Sequence, residues 1–194
     1  MMKQRVIEHF HHSIEAKMAV GEALSPTLAA AAQRIVAGLL AEKKVLCCGT
    51  GLSAAMATIL VRCLMRGHQI ERPGFAAIAL DSNTGYGATQ GSRADNFSAQ
   101  IRTLAQAGDI LITFSAGESP LELVQAITAA HERGMAVIAL TATGDNAIAA
   151  QLADSDIELY AENSNQYRVQ EIHMLSLFCI CDLIEQQLFG GSTV

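Results

Sequence analysis

The chain has no tryptophan, and aromatic residues make up only 5% of its 194 residues. The hydrophobic share of 51% is therefore mostly aliphatic, which favours helices and buried parallel strands. Charged residues are only 16%, too few for a chain that stays disordered. Three prolines and fifteen glycines exclude a collagen-like or low-complexity chain. A basic stripe is missing as well: 13 Lys and Arg stand against 19 Asp and Glu, for a net charge of −6. Direct binding to nucleic acid is not expected of such a surface. Clean apolar runs are no longer than a strand, such as Ala76 to Leu80, so no membrane span is expected. The opening MMKQRVIEHFHH has no apolar stretch after its early Lys and Arg, so it does not read as a secretion signal.

Five cysteines are present, Cys47, Cys48, Cys63, Cys179 and Cys181. Their odd number and apolar surroundings predict buried free thiols in a reducing cytoplasm. No CxxC-type pair is found, so no metal is expected.

The length suits one domain over residues 1–194, large enough to hold a core without disulfides or metal. Ile7, Phe10, Ile14, Met18 and Gly21 recur at helical spacing and predict a helix over 4–24. Ser25-Pro26 reads as a restart, with Ser as cap and Pro at the first position of a second helix ending near 42. These helices precede any strand, so their apolar stripe is a candidate subunit contact. From 43 to 160, strand-like runs alternate with amphipathic stretches. The runs are Val45–Cys48, Ala76–Leu80, Ile110–Phe114, Ala136–Thr141 and Ile157–Tyr160; the helical stretches are 53–66, 94–107, 119–133 and 146–153. That alternation predicts an α/β fold: a five-stranded parallel sheet with helices on both faces. Gly134 sits where a helix C-cap glycine belongs. Residues 167–189 predict a long last helix, apolar on more than one face and so covered on two sides.

Ligands of an open parallel sheet bind at the carboxyl ends of its strands. The first loop there is Gly49-Thr50-Gly51-Leu52-Ser53-Ala54, which fits G-x-G-x-x-A and opens a helix whose N-terminus suits an anion. The acid that a dinucleotide site needs is 32 residues past Gly49 at Asp81, so a plain helix-entry turn is as good a reading. The second loop is Ser115-Ala116-Gly117-Glu118-Ser119-Pro120. Its hydroxyls suit phosphate, whereas Glu118 would repel an anion, and capping of the next helix explains the loop equally well. The third, Thr141 to Asp145, reads as a turn with a helix cap. His9, His11 and His12 read as solvated, His131 lies in a polar stretch, and His173 reads as a hydrogen-bonded core residue. No G-x-S-x-G elbow exists for a nucleophilic triad.

Four segments carry a resemblance across the whole chain: KKVLCCGTGLSAA at 43–55, ERPGFAAIAL at 71–80, AGDILI at 107–112 and RVQEIHML at 168–175. They resemble the SIS (sugar isomerase) domain family, in the group that holds the sedoheptulose 7-phosphate isomerases and the DiaA-type proteins that associate with the initiator DnaA. The resemblance implies a flavodoxin-like three-layer sandwich with oligomerisation helices at both ends, 1–42 and 167–189 around a core of 43–160. It also implies a homotetramer. The general base of the isomerases falls on Cys63, their catalytic His on Phe178, and a histidine of the zinc-binding members on Ile59. Their phosphate loop keeps only Ser115 in register, and an Asp before the R-x-Q-E motif becomes Tyr167. With base, acid, metal ligand and phosphate loop all altered, the expectation is a non-catalytic adapter with no catalytic residue, metal or cofactor. A remnant phosphosugar pocket would comprise Gly49, Thr50, Gly51, Ser53, Ser115, Ser119 and Gln170, with a residual sugar phosphate possible as ligand. CxCDLIExxLF at 179–189 resembles the DiaA branch, which implies the DnaA N-terminal domain as protein partner. Leu188 and Phe189 then either touch that partner or pack into the tetramer. The alternative is a sedoheptulose 7-phosphate isomerase, or a sugar-phosphate-binding member of the family.

Overall fold

The computed structural model describes residues 1–81 and 95–190. Its helices are α1 (Met2–Leu40), α2 (Ser53–Arg66), α3 (Asn96–Leu104), α4 (Leu121–Glu132), α5 (Asn146–Ala149) and α6 (Gln166–Phe189). The strands are β1 (Val45–Gly49), β2 (Ala77–Ala79), β3 (Ile110–Phe114), β4 (Ala136–Ala142) and β5 (Ile157–Ala161). They form one sheet in the order β2-β1-β3-β4-β5, and every pairing is parallel. The α/β fold expected from the alternation is therefore present, each strand within a residue or so of its apolar run.

The sheet is buried on both faces, as a parallel sheet of helical crossovers requires. On β3, Ile110, Ile112 and Phe114 join the core under α1, α2 and α6, while Leu111 joins the core under α3 and α4. A fully buried aliphatic or phenyl side chain contributes about 1.5–3 kcal/mol, so these two layers dominate stability.

One expectation fails. Ser25-Pro26 does not restart a helix; Pro26 lies inside the single 39-residue α1. Ser25 Oγ donates back to the Gly21 carbonyl at 2.9 Å instead of capping forward. An interior proline costs a helix about 3 kcal/mol. Burial of Val20 and Leu24 before it, and of Ala31, Ala32, Ile35 and Val36 after it, holds both segments on one axis. By length and composition α1 and α6 are also apolar enough to cross a membrane, which the short apolar runs did not predict. Here the two helices lie along each other, α1 against β5 and α6 against α2.

A buried ion pair fixes α6 against the end of α2. Arg72 Nε donates to Glu185 Oε1 at 2.9 Å, and the same carboxylate accepts from the amides of His68 and Gln69 at 2.7 and 2.9 Å. Arg72 also donates to the carbonyls of Leu64 and Cys63 at the last turn of α2. Burial pushes the Glu185 carboxyl up, but those amides and the guanidinium outweigh it and hold it below the ordinary range. This clamp sets the register between α2 and α6, the helices that carry Ser53 and Gln170.

Candidate active site

β1 and β3 are sheet neighbours although β2 lies between them in sequence. Their crossovers leave in opposite directions, and a crevice opens at that switch point beyond the carboxyl ends of the strands. A cleft of about 220 Å³ lies there, lined by Thr50, Gly51, Ser53, Ser115, Glu118 and Gln170 among others. It unites the first two loops singled out in the sequence with the start of α6.

The loop after β1 turns tightly because Gly49 has no side chain: a Cβ there would meet the Ser53 carbonyl oxygen at 2.6 Å. That closeness brings the buried Ser53 to the first turn of α2. Gln170 Nε2 donates to Ser53 Oγ at 2.9 Å. The Ser53 hydroxyl hydrogen is then available to a ligand, while Gln170 Oε1 is buried with no hydrogen-bond partner. A donor and an acceptor side by side suit hydroxyl groups of a sugar.

Asp145 builds the loop after β3. Its carboxylate, 3% exposed, accepts from Ser115 Oγ at 2.6 Å, Gly117 N at 2.9 Å, Ser119 N at 2.8 Å and Ala142 N at 2.9 Å. Gly117 adopts φ +98, and a Cβ on it would meet the Thr143 carbonyl oxygen at 2.5 Å. Ser119, at φ +43, donates its hydroxyl to the Gly144 carbonyl and accepts from Ala147 N. Ser119 and Gly49 thus shape the loops and do not line the cleft, whereas Thr50, Gly51, Ser53, Ser115 and Gln170 do. The third loop read as a turn with a cap, but its Asp145 organises the second loop. A lone Asp ahead of a helix carries only the cap signal, because the loop it binds lies 26 to 30 residues away.

Glu118 is exposed and is the acidic member of the cleft lining. His173 lies beneath, 1% exposed, with Nε2 facing the Thr141 carbonyl at 3.2 Å. A carbonyl accepts only, so Nε2 carries the proton and Nδ1 is the bare acceptor. Burial lowers its pKa to about 4, so the ring is neutral at pH 7 and serves as the core histidine expected.

Beyond Gln170 an open groove of about 510 Å³ continues between α1, α2 and α6. Met56, Met174, Leu175 and Phe178 give it an apolar wall, and Lys17 and Glu171 a polar edge. Glu171 is held by Ser13, by Lys17 at 3.4 Å and by Arg168 at 2.6 Å. Burial raises its pKa, but these partners outweigh that and keep it ionised. Cys63, half-buried on α2, has its thiol pushed up by desolvation and is no base. Ile59 is packed against the core and offers no donor. Among the described residues no three His, Cys, Asp or Glu side chains gather to hold a metal ion.

At the end of the last helix Phe189 stays 45% exposed, and neither of the two readings of Leu188 and Phe189 is decided within one chain. Leu188 packs on the core, and Phe189 stacks on Phe75 with ring centroids 6.2 Å apart. Phe75 in turn lies under the Arg72 guanidinium.

The SIS domain model matches residues 9–142. The phosphoheptose isomerase of Alkalilimnicola ehrlichii is 40% identical over 191 residues, 97% of both chains. That of Chromohalobacter salexigens is 39% identical over 98% of each. Among solved structures, a phosphoheptose isomerase from Francisella tularensis superposes with a TM-score of 0.89 at 33% identity, covering 96% of this chain and 99% of that one. The phosphoheptose isomerase GmhA of Neisseria gonorrhoeae gives 0.85 at 34%, covering 96% and 100%. These relatives overturn the expectation of a non-catalytic DnaA adapter and favour the isomerase alternative. The altered residues are a few positions, whereas the likeness to isomerases runs the length of the chain. The chain belongs to the SIS-domain family, in the group of the phosphoheptose isomerases.

Proposed function

We propose that the protein is a sugar-phosphate isomerase of the phosphoheptose class, interconverting an aldose and a ketose phosphate such as sedoheptulose 7-phosphate in this cleft. The observation that carries the reading is the 40% identity to a phosphoheptose isomerase over 97% of both chains. The Ser53–Gln170 pair at the switch point supports it with a donor and an acceptor for sugar hydroxyls.

Isomerisation moves a proton between adjacent carbons and another between their oxygens, so it needs a base beside the carbons. Glu171 is tied up by Ser13, Lys17 and Arg168, and His173 is sealed in the core. Among the described residues that line the cleft Glu118 is the carboxylate, exposed on the wall, and is the base in this reading. Ser53 and Gln170 hold the neighbouring oxygens. The loop amides of Gly117 and Ser119 already serve Asp145, so the substrate phosphate goes to the Thr50–Ser53 turn.

The protein works as a homotetramer in this reading. Val6, Ile7, Phe10, Ile14 and Met18 of α1 are 38–74% exposed, a stripe suited to a second copy.

Turnover of sedoheptulose 7-phosphate by the purified chain, followed by phosphorus NMR, tests the proposal. Glu118→Gln should lower kcat by roughly 10²–10⁴-fold, the usual contribution of a general base, and keep substrate binding. Binding without any turnover by the unaltered chain would make it a sugar-phosphate-binding protein instead.

A further inference from the structure

We infer that Phe178 is the platform on which the carbon chain of the sugar phosphate lies, and that it sets how long a sugar the site accepts. The inference rests on the sugar-phosphate reading above and adds a subsite to it. The cleft alone, at about 220 Å³, is smaller than the roughly 300–1,000 Å³ of most small-molecule sites. The adjoining groove of about 510 Å³ brings the two together into that range. Gln170 lines both, so a ligand that meets Ser53 and Gln170 in the cleft runs on into the groove.

Phe178 forms part of the groove wall beside Met56, Met174 and Leu175. The His68 ring stacks on it, with centroids 5.3 Å apart and planes 9° from parallel. The backbone that carries His68 is held, because its amide donates to the buried Glu185 at 2.7 Å. A phenyl ring braced in this way loses little freedom when a ligand lands on it. The C–H faces of a sugar chain are apolar and pack on such a ring, while the hydroxyls turn to Gln170 and to the Lys17 edge. A phosphate without a sugar, or a sugar too short to pass Gln170, does not reach the ring.

Calorimetric titration of the full chain with sedoheptulose 7-phosphate, a three-carbon sugar phosphate and inorganic phosphate tests this. The unaltered protein should bind the seven-carbon ligand tightest. Phe178→Ala should weaken that ligand by roughly tenfold, the scale of one aromatic contact, and leave the two short ligands unchanged. Phe178→Leu, which keeps the core filled, should weaken it less, and His68→Ala should fall between the two. Equal affinity of the unaltered protein and both Phe178 variants for the long ligand would overturn the platform while leaving the proposed function standing. Loss of all three ligands together in Phe178→Leu would also overturn it, since the effect would then be general. No binding of any sugar phosphate by the unaltered chain would remove the proposed function, and the subsite with it.

Discussion

Removing the Asp145 carboxylate should collapse the loop after β3. Four donors converge on it, from Ser115, Gly117, Ser119 and Ala142. Two of those bonds, to Ser115 Oγ and Ala142 N, are buried, and two are partly buried. A buried donor left without an acceptor costs about 1–3 kcal/mol, and a partly buried one can recover water. Asp145→Ala should therefore destabilise by about 3–5 kcal/mol, which for a chain of this size lowers Tm by roughly 8–15 °C. Asp145→Asn keeps one acceptor oxygen but turns an amide NH₂ toward N–H donors, and should lose about half as much. Calorimetric melts at one fixed protein concentration measure both, since self-association would otherwise shift Tm. The melts should be paired with a KM determination, because the misplaced loop carries Ser115 and Glu118 away from the cleft. An Asp145→Ala protein that melts within 2 °C of the unaltered chain would refute the reasoning: the four bonds would then contribute almost nothing net.

Three other outcomes follow from the same structure. Burial depresses the His173 pKa to about 4, so its neutral form supports the fold fully above the unfolded value near 6.5. That support, about 3 kcal/mol, should be lost as pH falls from 6.5 to 4 in urea titrations, and His173→Gln should flatten the slope there. The Glu185 pKa is also held below its ordinary value, so a further loss should appear below about pH 4.3 as the carboxylate is protonated, and Glu185→Gln should remove that part of the acid slope. Pro26 is exposed inside α1, so Pro26→Ala should restore a helical hydrogen bond and raise Tm by several degrees, short of the full helix-propensity difference of about 3 kcal/mol. A lower Tm would mean that proline's restriction of the unfolded chain outweighs the recovered bond.

Strands were legible because a parallel strand buried on both faces is an unbroken apolar run. Ile110–Phe114 is such a run and stands where it was expected. α2 and α6 were legible through their long patterns, and Gly134 through the left-handed φ of +68 that ends α4. The continuity of α1 through Ser25-Pro26 was not, since a local cap signal says nothing of the tertiary burial of Val20, Leu24 and Ala31 that overrides it. At the site, Ser53 and Gln170 were recognisable from their motifs, but their mutual hydrogen bond spans 117 residues. Asp145 was read only as a cap for the same reason. The adapter expectation weighed the substitutions at Cys63, Phe178, Ile59 and the loop from Ser115 above the likeness of the rest of the chain. The structure gives Phe178 a place in a groove wall instead of leaving it as a mere loss.

The most direct test of the account is turnover of sedoheptulose 7-phosphate by the unaltered chain and by Glu118→Gln, with binding measured on both. The account predicts isomerisation by the first, at least a hundredfold lower kcat in the second, and similar affinity in the two. Turnover that is unchanged in Glu118→Gln would contradict the assignment of the base, and no turnover by the unaltered chain would contradict the proposed activity itself.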